Sequence, residues 1–182
     1  NLINKKFFLS NLFISTKSVK LKDVIAFFRV IKNDNKTELF ILENLIRKGY
    51  LIADVNLNFD EQGRIKDNFK IQGLVKDASI KVLNKKSINK IDFIFETKNK
   101  DLEIKDLGFS YEKLNFNSKK IQFNEKNKFF HIQGQINNNK EKVSDELLKN
   151  LFDKFVNVKF ENLIFSSENK FFLKINEKFK VL

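Results

Sequence analysis

At 182 residues and 42% hydrophobic, the chain is long enough to bury a core and too apolar to remain disordered. It has no cysteine and one histidine, which excludes disulfides, thiolate metal sites and a histidine-paired metal centre. With 35 basic and 23 acidic residues it carries +12, which reads either as attraction to phosphates of nucleic acid or lipid, or as the drift of a composition rich in Lys, Asn, Ile and Phe.

Residues 1–50 hold 10 basic and 4 acidic residues, half of the net charge. The longest apolar run, 24–28, is far short of the roughly 18 residues of a membrane helix. The chain starts with Asn and is read as a piece of a longer protein, any anchor lying outside it.

In chain order, residues 7–14 alternate as a strand interrupted near Ser10 and Asn11. Val24, Ile25, Phe28 and Ile31 make a helical stripe within 19–31. A second helix is expected over 37–48: Thr37 as N-cap, Leu39, Leu42, Leu45 and Ile46 as its stripe, and Gly49 as left-handed terminator.

From residue 51 the period becomes two. Leu51, Ala53, Val55, Leu57 and Phe59 face one way, and Asp54, Asn56, Asn58 and Asp60 the other. Asp60, Glu61, Gln62 and Gly63 form the turn. Phe69, Ile71, Gly73 and Val75 resume the apolar series. It continues through Ala78, Ile80 and Val82 only if a bulge absorbs Lys76 and Asp77.

Further strands are expected at 91–95, 102–104, 109–111, 114–116, 121–123 and 130–136, with 137–139 (Asn-Asn-Asn) as a loop. Ser144 caps a helix over 144–156, and strands at 158–165, 171–175 and 179–181 close the chain. The lone His131 falls on the polar side of its strand.

One pattern occurs twice: residues 69–75 read FKIQGLV and residues 130–136 read FHIQGQI. In both a glycine, Gly73 or Gly134, stands where the apolar series expects a side chain, which marks a bend, a bulge or a close backbone approach. The expected fold is mainly β, an elongated, curved antiparallel sheet with two or three amphipathic helices. It is a single domain over 1–182 or a fragment of a longer repeating protein, with 49–137 as the core sheet and helices at 37–48 and 144–156.

Residues 49–82, GYLIADVNLNFDEQGRIKDNFKIQGLVKDASIKV, resemble the AsmA-like superfamily, particularly its large YhdP- and TamB-type periplasmic repeat proteins. The similarity lies in a strand ending in Phe-Asp-x-x-Gly, a strand F-x-I-x-G-x-V, and the succession of strands over 49–137. The resemblance implies a long taco-like β-groove carrying phospholipid between the inner and outer membranes of a Gram-negative envelope. It also implies a periplasmic location, an inner-membrane anchor outside this segment, and no catalytic residues.

The residues fit an apolar lining. There are 22 phenylalanines and only two tyrosines, and phenylalanine has no polar handle. Burying an acyl chain gains about 0.8 kcal/mol per methylene. The candidate lining is Leu51, Val55, Leu57, Phe59, Phe69, Ile71, Ile80, Phe93, Phe95, Phe116, Phe130 and Ile132, with Gly73 and Gly134 leaving room for a ligand or allowing curvature. No phosphate loop, nucleophile elbow, zinc-protease motif or cysteine nucleophile occurs, and Asp54, Asp60, Asp67 and Asp77 are expected at strand ends or turns. The expectation is a non-enzyme without metal or cofactor. The alternatives are a basic nucleic-acid-binding β module and a purely structural β scaffold. Nucleic acid is not the expected partner, because the phenylalanines alternate away from the lysines.

Overall fold

The computed structural model describes residues 9–31, 43–82, 86–98, 101–126, 129–143, 147 and 163–176. Among them, nine strands form one open, antiparallel sheet. The strands are β1 (Asn11–Ser15), β2 (Val19–Lys20), β3 (Ile46–Asn58), β4 (Lys70–Lys81), β5 (Ser87–Lys98), β6 (Asp101–Tyr111), β7 (Leu114–Lys126), β8 (Phe129–Lys142) and β9 (Ile164–Asn176). Helix α1 (Leu21–Ile31) follows β2 directly and packs against β3. The spatial order is β1-β3-β4-β5-β6-β7-β8-β9, and β2 shares the β1 edge of β3.

From β4 to β8 consecutive strands are neighbours joined by only two to five residues. Between β3 and β4, Gly63 takes φ +77, and the Asp60 carboxylate accepts the backbone N–H groups of Gln62 and Arg64 at 2.9 and 2.8 Å. The expected turn is therefore present. A bridge between Phe59 and Ile65 closes its base.

The expected bulge at Lys76 and Asp77 is also present. The β4–β5 register shifts between Val75 and Ala78, and Asp77 adopts φ +47. Lys90 in β5, Asp106 in β6 and Lys140 in β8 are likewise left-handed (φ +52, +50 and +37), and the β7–β8 register shifts between Asn117 and Ile121. In six successive strands the residues that keep to one face therefore step by three at one point. The pairs are Ile46 and Gly49, Val75 and Ala78, Ile88 and Ile91, Ile104 and Leu107, Ser118 and Ile121, and Asn138 and Glu141. Each extra residue restores the parity that an odd step would otherwise lose and bends the strand that carries it.

These breaks correct several expectations. The segments 102–104 and 109–111 are one strand, β6, and 114–116 and 121–123 are one strand, β7. Asn137, Asn138 and Asn139 belong to β8 rather than to a loop. Asn138 is fully buried and donates from Nδ2 to the Asn115 carbonyl at 2.8 Å, so a cross-strand partner takes the amide N–H that would otherwise favour a turn, while its Oδ1 is buried without a hydrogen-bond partner among the described residues. Of the strand expected over 7–14, β1 covers Asn11 onward, and residues 7 and 8 lie outside the described residues. Asp54 lies in mid-strand and accepts from Ser15 Oγ at 2.7 Å, and Asp77 is the bulge residue; neither ends a strand.

The helix expected over 37–48 ends early. Residues 43–45 are helical, but Ile46, Arg47 and Lys48 open β3. Gly49 does not terminate a helix; it sits inside β3 at φ +140. A Cβ there would lie 2.6 Å from Leu21 Cδ1 and 2.8 Å from Ala78 Cβ, so the missing side chain lets the start of α1 close onto the sheet. Residues 37–42, 144–146 and 148–156, the strand expected at 179–181, and residues 158–162 of the strand expected at 158–165 lie outside the described residues; the end of that strand and the one expected at 171–175 are a single strand, β9.

Candidate functional site

Directly paired residues of neighbouring strands share a face, so the register spells out what each face carries. One row runs Ile14, Val55, Ile71, Thr97, Leu102, Phe123, Ile132, Leu173 from β1 to β9. The next runs Ala53, Gly73, Phe95, Ile104, Ile121, Gly134, Phe171 from β3 to β9. Leu51, Val75 and Phe93 continue the face, and beyond the bulges so do Ile46, Ile80, Ile88, Tyr111 and Leu114. Phe109 stacks on Phe116, centroids 5.2 Å apart and planes 15° from parallel.

The expected lining is thus brought together. Leu51, Val55, Ile71, Gly73, Ile80, Phe93, Phe95, Ile132 and Gly134 lie in these rows, Phe116 in the aromatic stack, Leu57 beside Leu12 of β1, and Phe130 between Glu125 and Ile175. Phe59 sits just past β3 against Ile65, and Phe69 just before β4. All fourteen are half-buried, neither sealed nor free. The candidate lining omits Ile14, Leu102, Ile104, Ile121, Phe123, Phe171 and Leu173, although all seven lie in strands expected from the sequence. Counting register outward from the two glycine motifs is the signal that would have joined them.

The two glycines share one row, and a neighbouring ring leans over each. A Cβ on Gly73 would come within 2.9 Å of the Phe95 ring and closer still to the Ile52 carbonyl oxygen. On Gly134 it would meet Ile121 Cγ1 at 3.0 Å and Phe171 Cζ at 3.1 Å. The space that the missing side chains leave is filled by the sheet's own aromatics.

The opposite face reads Ser15, Asp54, Gln72, Glu96, Glu103, Gln122, Gln133, Phe172 in register. Ion pairs run across its middle: Lys70 to Glu96 at 3.1 Å, Lys105 to Glu96 at 3.4 Å and to Glu103 at 3.1 Å, and Lys120 to Glu103 at 2.5 Å. Hydrogen bonds from Lys70 and Lys105 hold the Glu96 carboxyl below its ordinary range, and bonds from Lys120 and Lys105 do the same for Glu103. Glu103 and Glu96 in turn raise the Lys105 ammonium. This face is not uniformly polar. Ile52, Leu74 and Ile94 adjoin across β3, β4 and β5 beneath a depression of about 360 Å³ that Lys105 and Glu96 also line.

Asp92 clamps the β4 bulge. Its Oδ1 accepts the Asp77 N–H at 2.6 Å and its Oδ2 meets Lys76 Nζ at 2.9 Å. Partial burial pushes its carboxyl up, but the Lys76 and Asp77 hydrogen bonds and the Lys76 charge outweigh this and leave it lowered. His131, on the polar side as expected, pairs with Asn124 and Lys174 and meets the Phe172 ring edge-on at 5.6 Å. Among the described residues no group of three His, Asp or Glu side chains is arranged to hold a metal ion, and no helix is long and apolar enough to cross a membrane.

Compared with known proteins, the chain matches no family model, no curated protein and no solved structure.

Proposed function

We propose that this chain is a non-enzymatic segment of an AsmA-like lipid-transfer protein of the periplasm. In this reading its apolar face is the inside of a curved, taco-like groove that shields phospholipid acyl chains between the inner and outer membranes. The observation that carries it is the pair of apolar rows crossing the sheet, with every expected lining residue half-buried. At 4.7–4.9 Å per strand, the eight-strand row spans about 34 Å. The rows run perpendicular to the strands, so an acyl chain lying along them exchanges one apolar neighbour for the next as it slides. Bulges in six strands supply bends in keeping with a trough.

The same geometry speaks against the nucleic-acid reading. A stacking platform needs aromatic and basic side chains on one exposed face. Here Phe93, Phe95, Phe109 and Phe116 lie on one face, while Lys70, Lys105 and Lys120 on the other are engaged with glutamates.

Mass spectrometry of the purified chain is expected to find co-purifying phospholipid, and vesicle assays to show transfer of a fluorescent phospholipid. Leu57→Glu and Ile71→Glu, which place charge on the apolar face and leave both glycines and the rings over them unchanged, should cut transfer at least about tenfold with the β-sheet signal in circular dichroism unchanged. Wild-type transfer by both variants would sink the reading.

A further inference from the structure

A second depression, of about 300 Å³, opens where β2, the first turn of α1 and the bulged end of β3 meet. Lys20, Lys22, Arg47, Lys48 and Tyr50 surround it about Gly49, and no carboxylate is among the described residues that line it. Lys20 stands directly opposite Tyr50 in the β2–β3 ladder. Arg47 and Lys48 are the two residues between Ile46 and Gly49, where the β3–β4 register shifts. Gly49 makes the convergence possible: with no Cβ, it admits Leu21, and so brings Lys20 and Lys22 beside the basic pair of β3.

Lys48 shares its charge with Asp77 at 2.6 Å. Lys20, Lys22 and Arg47 have no carboxylate partner among the described residues, in contrast to the glutamate-paired lysines along the middle of the same sheet. Like charges held together repel unless an anion joins them. A guanidinium, ammonium groups and a phenol in one concavity make the donor set of a phosphate site: the fork of Arg47 matches two phosphate oxygens, and the lysines add point charges. With each water taking about 30 Å³, the depression has room for a phosphate, its ester and several waters.

We propose that this depression binds a phosphate group, either of a soluble phosphoester or of a lipid headgroup. The inference does not rest on the lipid groove, whose lining lies elsewhere on the sheet. It gives a location to part of the positive charge carried by residues 1–50.

The test titrates the full chain with inorganic phosphate and follows the amide signals of Gly49 and Tyr50 by NMR. A flotation assay uses phosphatidylcholine vesicles with and without phosphatidic acid. The variant pair Lys22→Glu with Arg47→Glu is compared with Lys126→Glu with Lys142→Glu, which changes net charge equally at other exposed lysines. The milder Lys22→Ala with Arg47→Ala serves if charge reversal unfolds α1. Saturable shifts that the site variants weaken at least about tenfold, and the control pair less than about twofold, are expected. Flotation that requires phosphatidic acid and is competed by free phosphate assigns the headgroup; phosphate binding without flotation assigns a soluble phosphoester. Absence of saturable shifts, or equal loss in both charge-reversal pairs, overturns the site. Because Leu57→Glu leaves this depression intact, its phosphate titration should match wild type even where lipid transfer is lost.

Discussion

Gly73 and Gly134 carry the same motif but not the same constraint. At Gly73 an added methyl group runs into the Ile52 carbonyl oxygen, which cannot move without breaking the ladder. At Gly134 the nearest atoms are side-chain carbons and the Lys120 carbonyl at 3.0–3.1 Å. Gly73→Ala should therefore cost about 3 kcal/mol and Gly134→Ala about 1 kcal/mol, read from urea midpoints. Equal losses would mean that the backbone yields at both sites. Asp92 allows a second comparison. Asp92→Ala leaves the Asp77 N–H without its acceptor and should lose about 1–2 kcal/mol, whereas Asp92→Asn keeps an acceptor and should lose less. Period two was enough to place all fourteen candidate residues on or beside one apolar surface. It was silent on the aromatic cover over the glycines, because Phe95 and Phe171 reach them from neighbouring strands that local pattern does not pair.

At the scale of elements, the recurring device is a strand whose apolar series skips two polar residues. The skipped pairs are Arg47-Lys48, Lys76-Asp77, Asn89-Lys90, Lys105-Asp106, Lys119-Lys120 and Asn139-Lys140. Two polar residues in a row look like the end of a strand, so pattern alone divides β6 and β7 and makes the end of β8 a loop. Only at Lys76-Asp77 were the apolar residues on both sides numerous enough to reveal a bulge. The 37–48 helix was overextended for a related reason: Ile46 completes a helical stripe as readily as it begins a strand. At Lys90 a lysine holds a left-handed conformation that costs a residue with a Cβ about 1 kcal/mol or more. Lys90→Gly should leave the melting midpoint unchanged or raise it, whereas Lys90→Val should lower it.

The ion pairs across β4 to β7 add a pH dependence. Glu96 and Glu103 titrate below their ordinary range in the folded chain, so their contribution is complete above the unfolded carboxylate value of about 4.3 and is lost as pH falls through the lowered folded values. Asp92 behaves likewise. Lys105 is raised, so its contribution is complete below the unfolded lysine value of about 10.4 and is lost as pH rises through the raised folded value. Melting midpoints should be flat near neutrality and fall on the acid side only below the ordinary carboxylate range. Glu103→Gln, which uncouples Lys105 and Lys120, should shrink the acid-side fall. A fall that begins well above that range would point to another group.

For the molecule as a whole, the described residues bury few large side chains, with Ile25, Ile46, Val75, Leu114, Ile121 and Leu147 the principal ones. Around these, the fourteen candidate lining residues of the apolar face are only half-buried, and such a face gains stability from whatever covers it. Phospholipid above its solubility limit, supplied as vesicles, should raise the wild-type melting midpoint, and the shift should vanish in Leu57→Glu. An unchanged wild-type midpoint would count against lipid as the cover. The mainly-β, open antiparallel architecture was legible from alternation and turn chemistry, because both act within a few residues.

Among the described strands from β3 onward, each lies beside its predecessor and its successor in the chain, and none of them is inserted from farther away. Hairpins in such an arrangement behave like planks in a walkway. Duplicating one in the gene would lengthen the sheet by about 10 Å and leave every other pairing in place. Reach is then inherited as a number of repeats, and two descendants of one ancestor can differ in span without any change in how their individual strands are made.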